Sequence, residues 1–197
     1  MDDQNATMRS FIAVEMDEKT IESLKRIQDD ISSRVPRGAV KWVAASSIHL
    51  TLKFLGDTRV SILEEVERGI ERAVKGTNPF EIRIKGTGCF PSCRRPRVIW
   101  IGVEDESGEL RSLQKRVDSE MESLGWKPED RPFSPHLTLG RVRKGLVSTE
   151  IAEIGKVVSA EKAGNVGVVF VNSVVLMKST LTPRGAQYDL IFRASFL

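Results

Sequence analysis

The chain has 197 residues, 40% of them apolar and 29% charged. This is the balance of an ordinary globular domain, and it excludes a disordered, collagenous or disulfide-stapled protein. One domain of this length, or two small lobes sharing a core, buries about 70% of its unfolded surface without staples, and 30 Lys and Arg against 27 Asp and Glu leave a charge of +3, which admits an RNA or phosphate ligand without requiring one.

Met1–Thr7 is polar and acidic, unlike a secretory leader, and reads as a flexible tail over 1–7, with a single domain over 8–197. Met8–Met16 reads as a strand. Asp17 is placed to cap a helix to about Ser33, with Ile21, Leu24, Ile27 and Ile31 on its apolar face. Pro36-Arg37-Gly38 ends it. Val40–Val43 is a short strand, His49–Leu55 a longer one, and Gly56-Asp57 a turn. A second helix is expected over Arg59–Lys75, with Ile62, Leu63, Val66, Ile70, Ala73 and Val74 inward. Glu81–Cys89 alternates as a strand does, and Cys89–Pro96 reads as a basic loop.

Arg97–Val103 is the next strand and Gly108–Leu124 a third helix. Gly125–Pro135 is a loop rich in proline and charge, and His136–Val142 a strand. Thr149–Val158 is a short helix. Val166–Leu176 and Gln187–Phe196 are strands joined by a turn near Pro183-Arg184-Gly185. Eight or so strands and four helices alternate without the Gly-rich turns of a dinucleotide fold. The most apolar stretch, Val166–Met177, is interrupted by Asn172 and too short to span a bilayer, so a cytoplasmic protein with no membrane partner is expected. Cys89 and Cys93 have no nearby histidine and read as two reduced thiols rather than a zinc site.

The order of elements repeats. Phe11–Val14, a helix and the strand opening at His49 are matched by Val98–Gly102, a helix and the strand opening at His136. Phe11 to His49 is 38 positions and Ile99 to His136 is 37. Two similar lobes about an approximate two-fold axis follow, with the two histidine strands meeting near it.

Those strands open with one tetrapeptide: His49-Leu50-Thr51-Leu52 and His136-Leu137-Thr138-Leu139. They hold both histidines of the chain. At average residue usage Leu-Thr-Leu follows a given histidine on the order of once in a thousand times. Strand alternation puts His49 with Thr51, and His136 with Thr138, on one face, and turns the leucines to the core. A lone histidine at a strand start is ordinarily a satisfied structural residue. A matched pair supplies a general acid and a general base near neutral pH. Two hydroxyls add hydrogen-bond donors for phosphate oxygens. In-line displacement at phosphorus uses these parts: a base for the nucleophile, an acid for the leaving oxygen, donors for the remaining oxygens. No carboxylate cluster accompanies the pair, and a shared zinc site would lack a third ligand.

These motifs resemble the 2H phosphoesterases, and within them the LigT-like RNA 2′,3′-cyclic phosphodiesterases, also called 2′-5′ RNA ligases. The resemblance extends through Met8-Arg9-Ser10-Phe11-Ile12-Ala13, His49–Asp57, Arg95–Trp100, Pro135–Arg141 and the ending Met177–Gly185 with Tyr188. It implies a bilobal α+β fold: two pseudo-symmetric lobes, each with an antiparallel-rich sheet and outer helices, around a central cleft. It implies hydrolysis of RNA 2′,3′-cyclic phosphate ends to a 2′-phosphate with no metal and no cofactor. His49 would be the general acid to the leaving 3′ oxygen and His136 the general base, with Thr51 and Thr138 as phosphate donors. Arg141 would contact phosphate or ribose, and Phe54 would stack on a base. Strict alternation puts both on the wrong face, so both need a bend, expected at Gly56 and Gly140. The partner is an RNA end, with tRNA fragments among the candidates, and the protein is expected to be a monomer. Ligation or cleavage of a 2′-5′ linkage, and a non-catalytic RNA-end-binding module, are the alternatives.

The remaining signals are weaker. Arg94, Arg95 and Arg97 form a basic cluster suited either to RNA phosphates or to plain solvation. Trp42 and Trp100 read as core residues rather than base platforms, and Tyr188 as structural.

Overall fold

The computed structural model describes residues 6–161, 163–182 and 185–196. Along these the order is β1 (Thr7–Glu15), α1 (Glu18–Arg34), β2 (Val40–Trp42), β3 (His49–Arg59), α2 (Leu63–Val74), β4 (Phe80–Ser92) and β5 (Arg95–Glu104). Then follow α3 (Glu109–Ser123), β6 (His136–Val142), α4 (Ser148–Ala160), β7 (Asn165–Val171), β8 (Ser173–Thr182) and β9 (Gly185–Ser195). Asp17 caps α1 as expected, its carboxylate accepting from the Thr20 N–H at 2.7 Å. The first strand starts at Thr7, and the Ala6 carbonyl accepts from the Val60 N–H at 2.8 Å. Residues 1–5 of the expected tail lie outside the described residues.

Three local expectations are corrected. Gly56-Asp57 is not a turn: β3 runs through it to Arg59, Gly56 adopts φ 69°, and it pairs with Ser10. Cys89–Pro96 is not a loop: β4 and β5 form one hairpin turning at Cys93-Arg94. Val166–Leu176 is not one strand. It breaks at Asn172 because β7 pairs with β4 while β8 pairs with β1, in opposite halves of the sheet. Of the expected last turn, Gly185 opens β9, and Pro183 and Arg184 lie outside the described residues.

The strands form one antiparallel sheet in the order β7-β4-β5-β6-β3-β1-β8-β9, with β2 on β6. Four strands of this order lie on each side of the β6–β3 junction. The strands that the internal repeat relates, β6 with β3 and β5 with β1, stand at equivalent places on the two sides of it. The junction is one residue pair, Leu50 with Leu137, the second residues of the two tetrapeptides. Beyond it the strands separate, and β2 takes the β6 edge opposite Gly140–Val142.

The helices cover one face. Pairing is reciprocal: α1 and α4 pack on the β7-β4-β5 half, while α2 and α3 pack on the half containing β3, β8 and β9. The helix after β1 therefore serves the other half, and so does the helix after β5. Leu24, Ile31, Ile70, Leu113, Val117 and Met121 carry this contact, all fully buried. Burying such side chains contributes roughly 1.5–3 kcal/mol each. On the opposite face a separate small cluster of Phe11, Ala13 and Val175, with Met177 and Tyr188, floors an open cleft.

Candidate active site

Each histidine strand carries a bulge at the last leucine of its tetrapeptide. Thr51 and Lys53 face the adjacent residues Ala13 and Ile12 of β1, so Leu52 is the extra residue. Thr138 and Gly140 likewise face Trp100 and Ile99 of β5, and Leu139 is extra. A bulge consumes one residue without advancing the pairing, so alternation restarts one step later. Phe54 and Arg141 therefore return to the face of His49 and His136. The required bend is present, at the leucines rather than at Gly56 and Gly140. The Leu139 carbonyl is satisfied by the Val43 N–H at 2.9 Å and the Gln28 amide at 2.8 Å. The helix residue Gln28 is buried for this reason.

The two imidazoles are held alike. Nδ1 of His49 lies 2.9 Å from the Ser47 carbonyl, and Nδ1 of His136 lies 2.7 Å from the Ser134 carbonyl. A carbonyl only accepts, so Nδ1 carries the proton and Nε2 remains free for chemistry. Antiparallel register about Leu50 and Leu137 sets His49 across from Thr138, and Thr51 across from His136.

Their surroundings differ. The His49 ring stacks on Phe11 at 4.5 Å between centroids and takes the edge of Tyr188 at 5.0 Å. The His136 ring meets Phe90 at 4.9 Å. Burial pushes the His49 pKa below the ordinary histidine value, partly offset by its bond to Ser47. Burial raises the Tyr188 phenol, opposed by the charges of Arg141 and Arg9.

A cavity of about 510 Å³ is lined by His49, Thr51, Phe54, His136, Thr138 and Arg141 together, the six residues singled out from the sequence. Phe54 stands at its rim, 61% exposed, its ring centroid 6.2 Å from that of Phe11. Arg94, Arg95 and Arg97 are exposed on the β4–β5 hairpin and do not line the cavity. Trp42 is half-buried and packs against the core, and Trp100 lies over Gly88, where a Cβ would stand 2.3 Å from its ring. Cys89 and Cys93 are free thiols, and among the described residues no group of three or more His, Cys, Asp or Glu side chains converges.

Sequence reading missed part of this lining. Tyr188 arrives from β9, and Arg131, Phe133 and Ser134 from the loop after α3. That loop is tied down by Lys53, whose buried ammonium pairs with Asp118 of α3 and donates to the Lys127 carbonyl at 2.6 Å. Lys53 faces the helices because of the Leu52 bulge. The signal was the proline- and charge-rich composition of the loop, which says nothing about where it folds back.

The profile of the 2′-5′ RNA ligase superfamily matches residues 15–165. A protein of Methanothermobacter thermautotrophicus named RNA 2′,3′-cyclic phosphodiesterase is 39% identical over 92% of this chain and 95% of its own. One of the same name from Archaeoglobus fulgidus is 36% identical over 92% of this chain and 96% of its own. The fold is that of E. coli LigT, crystallised with 3′-AMP: a TM-score of 0.77 at 22% identity, covering 97% of this chain and 99% of that one. The family match includes both histidine strands, and the chain belongs to the 2′-5′ RNA ligase superfamily.

Proposed function

We propose that this protein hydrolyses the 2′,3′-cyclic phosphate at an RNA 3′ end and leaves a 2′-phosphate. The observation that carries the reading is the pair of equivalent imidazoles, each with Nδ1 on a carbonyl and Nε2 free, in one cavity with both motif threonines. The names of the relatives support it.

In this reading protonated His49 gives its Nε2 proton to the departing 3′ oxygen. His136 takes a proton from the attacking water on the opposite side of phosphorus. The water oxygen bonds to phosphorus as the bond to the 3′ oxygen breaks, and the proton balance closes between the two imidazoles. Thr51 and Thr138 donate to the phosphoryl oxygens as charge collects there. Arg141 pairs with the phosphate through its guanidinium, and Phe54 stacks on the terminal base. The low pKa of His49 makes its imidazolium a strong acid, and an arriving phosphate anion supplies the charge that keeps it protonated.

With a 5′-hydroxyl in place of water as nucleophile, the same acid and base would join a 2′,3′-cyclic end to it as a 2′-5′ linkage, and run in reverse they would cleave that linkage. The superfamily name favours this as the second reading. No helix among the described residues is long and apolar enough to cross a membrane; a monomer acting in the cytoplasm on RNA fragments, those of tRNA included, completes the proposal.

The test is incubation with an oligonucleotide ending in a 2′,3′-cyclic phosphate, in the presence of EDTA, and identification of the product. A 2′-phosphate is expected. A 3′-phosphate product would reverse the leaving group. Tight binding without turnover would make the protein an end-binding module.

A further inference from the structure

Lys41 of β2 and Arg141 of β6 are directly paired across the two strands. Paired residues project from the same face, so two cations stand side by side. Like charges directly opposite each other destabilise a sheet. Both side chains are exposed, and among the described residues neither has an ion-pair partner. Solvent and salt screen part of this cost, and an anion lying between or along them removes more of it.

A second cavity, of about 630 Å³, opens beside the first. The two share Val43, Ser47, Arg141 and Tyr188 as their common wall, and Lys41 belongs to the second alone. Three cations line this cavity, Lys25, Lys41 and Arg141, against the single carboxylate of Asp29, which Lys25 already pairs. Its character is therefore cationic, and it continues outward from the wall that Arg141 forms.

An RNA whose 3′ end is a cyclic phosphate can extend from that end in one direction only, through the phosphodiester on the 5′ side of its last nucleotide. We infer that the second cavity takes that phosphodiester, with Lys41 as its cation, and that the chain is built for oligonucleotide ends rather than free nucleoside cyclic phosphates. This rests on the hydrolase reading above. Arg141 holds the terminal phosphate and Lys41, its cross-strand neighbour, the next one. The stacked pair of cations is matched by two successive phosphates. Lys41 acts here as a specificity residue, away from the reacting atoms.

The experiment compares three substrates: cytidine 2′,3′-cyclic phosphate, a dinucleotide with the same cyclic end, and that dinucleotide with a neutral methylphosphonate linkage. For the wild type, kcat/KM for the dinucleotide exceeds that for the mononucleoside by roughly tenfold or more, the scale of one charge-assisted hydrogen bond. The methylphosphonate loses this advantage. Lys41→Gln brings the ratio of dinucleotide to mononucleoside close to one, and Lys41→Arg keeps it. The dependence of log(kcat/KM) on log salt is steeper for the dinucleotide by about 0.7, and Lys41→Gln removes the difference. Equal kcat/KM for mononucleoside and dinucleotide, or a ratio that Lys41→Gln leaves intact, overturns the subsite and leaves the hydrolase reading standing. No turnover of any of the three overturns both.

Discussion

Leu52 and Leu139 occupy equivalent places in the two histidine strands, and each is the extra residue of a β-bulge. Two identical irregularities, one in each half, turn Phe54 and Arg141 into the cleft five residues beyond a histidine. Without them both side chains would point among the helices.

Substitutions at these two positions separate binding from turnover. Phe54→Ala is expected to raise KM for cyclic-ended RNA by a stacking loss of about 1–3 kcal/mol, with kcat little changed. Arg141→Lys should lower both affinity and kcat, because an ammonium cannot reproduce two parallel hydrogen bonds to a phosphate. Steady-state kinetics, with binding of the same RNA ending in a 3′-hydroxyl as reference, check this. Equal weakening of the two RNAs by Arg141→Lys would mean that Arg141 reads the backbone alone.

The pH dependence follows from His49. Its folded pKa lies below the ordinary histidine value, so the free protein loses the acid form as pH rises through a point below about 6.5. The midpoint of the His49 ring-proton titration in the free protein is expected there. A bound phosphate anion favours the imidazolium, so in its presence the same midpoint should lie at higher pH. NMR titrations of the free and phosphate-bound protein decide it. Coincident midpoints would contradict the burial argument.

Lys53 and Asp118 predict an asymmetric pair of stability effects. Asp118→Ala leaves a buried ammonium without its carboxylate and should cost about 3–5 kcal/mol. Lys53→Met removes the buried charge and leaves Asp118, which is 19% exposed, to water. Its cost should be at most about 1–2 kcal/mol. Urea unfolding midpoints at unchanged slope measure both. A larger loss for Lys53→Met would show that the ammonium, rather than its pairing, is what the fold requires.

Much of this was legible in the sequence, for identifiable reasons. His49 with Thr51 and His136 with Thr138 obey strand alternation up to the bulges, so their common face could be read directly. Asp17 ahead of an apolar helical repeat marked the start of α1. The faces of Lys53, Phe54 and Arg141 were not legible because a bulge at leucine leaves no compositional trace, whereas glycine invites the wrong placement. Asn172 interrupts an apolar run, but only the pairing of β7 with β4 and β8 with β1 makes it a strand break. Gln28 stands at helical spacing between Leu24 and Ile31 on the buried face of α1, but that its amide serves the Leu139 carbonyl depends on the β6 bulge. Tyr188 reaches His49 through β9, a strand far away in the chain.

The central claim is that His49 and His136 work as one acid–base unit. The most direct measurement is kcat of His49→Ala, His136→Ala and the double variant on cyclic-ended RNA, with substrate affinity measured alongside. Each single change should lower kcat at least about a hundredfold. The double variant should fall little below the worse single, far short of the product of the two losses. Near-normal kcat in either single variant, with affinity intact, would contradict the account.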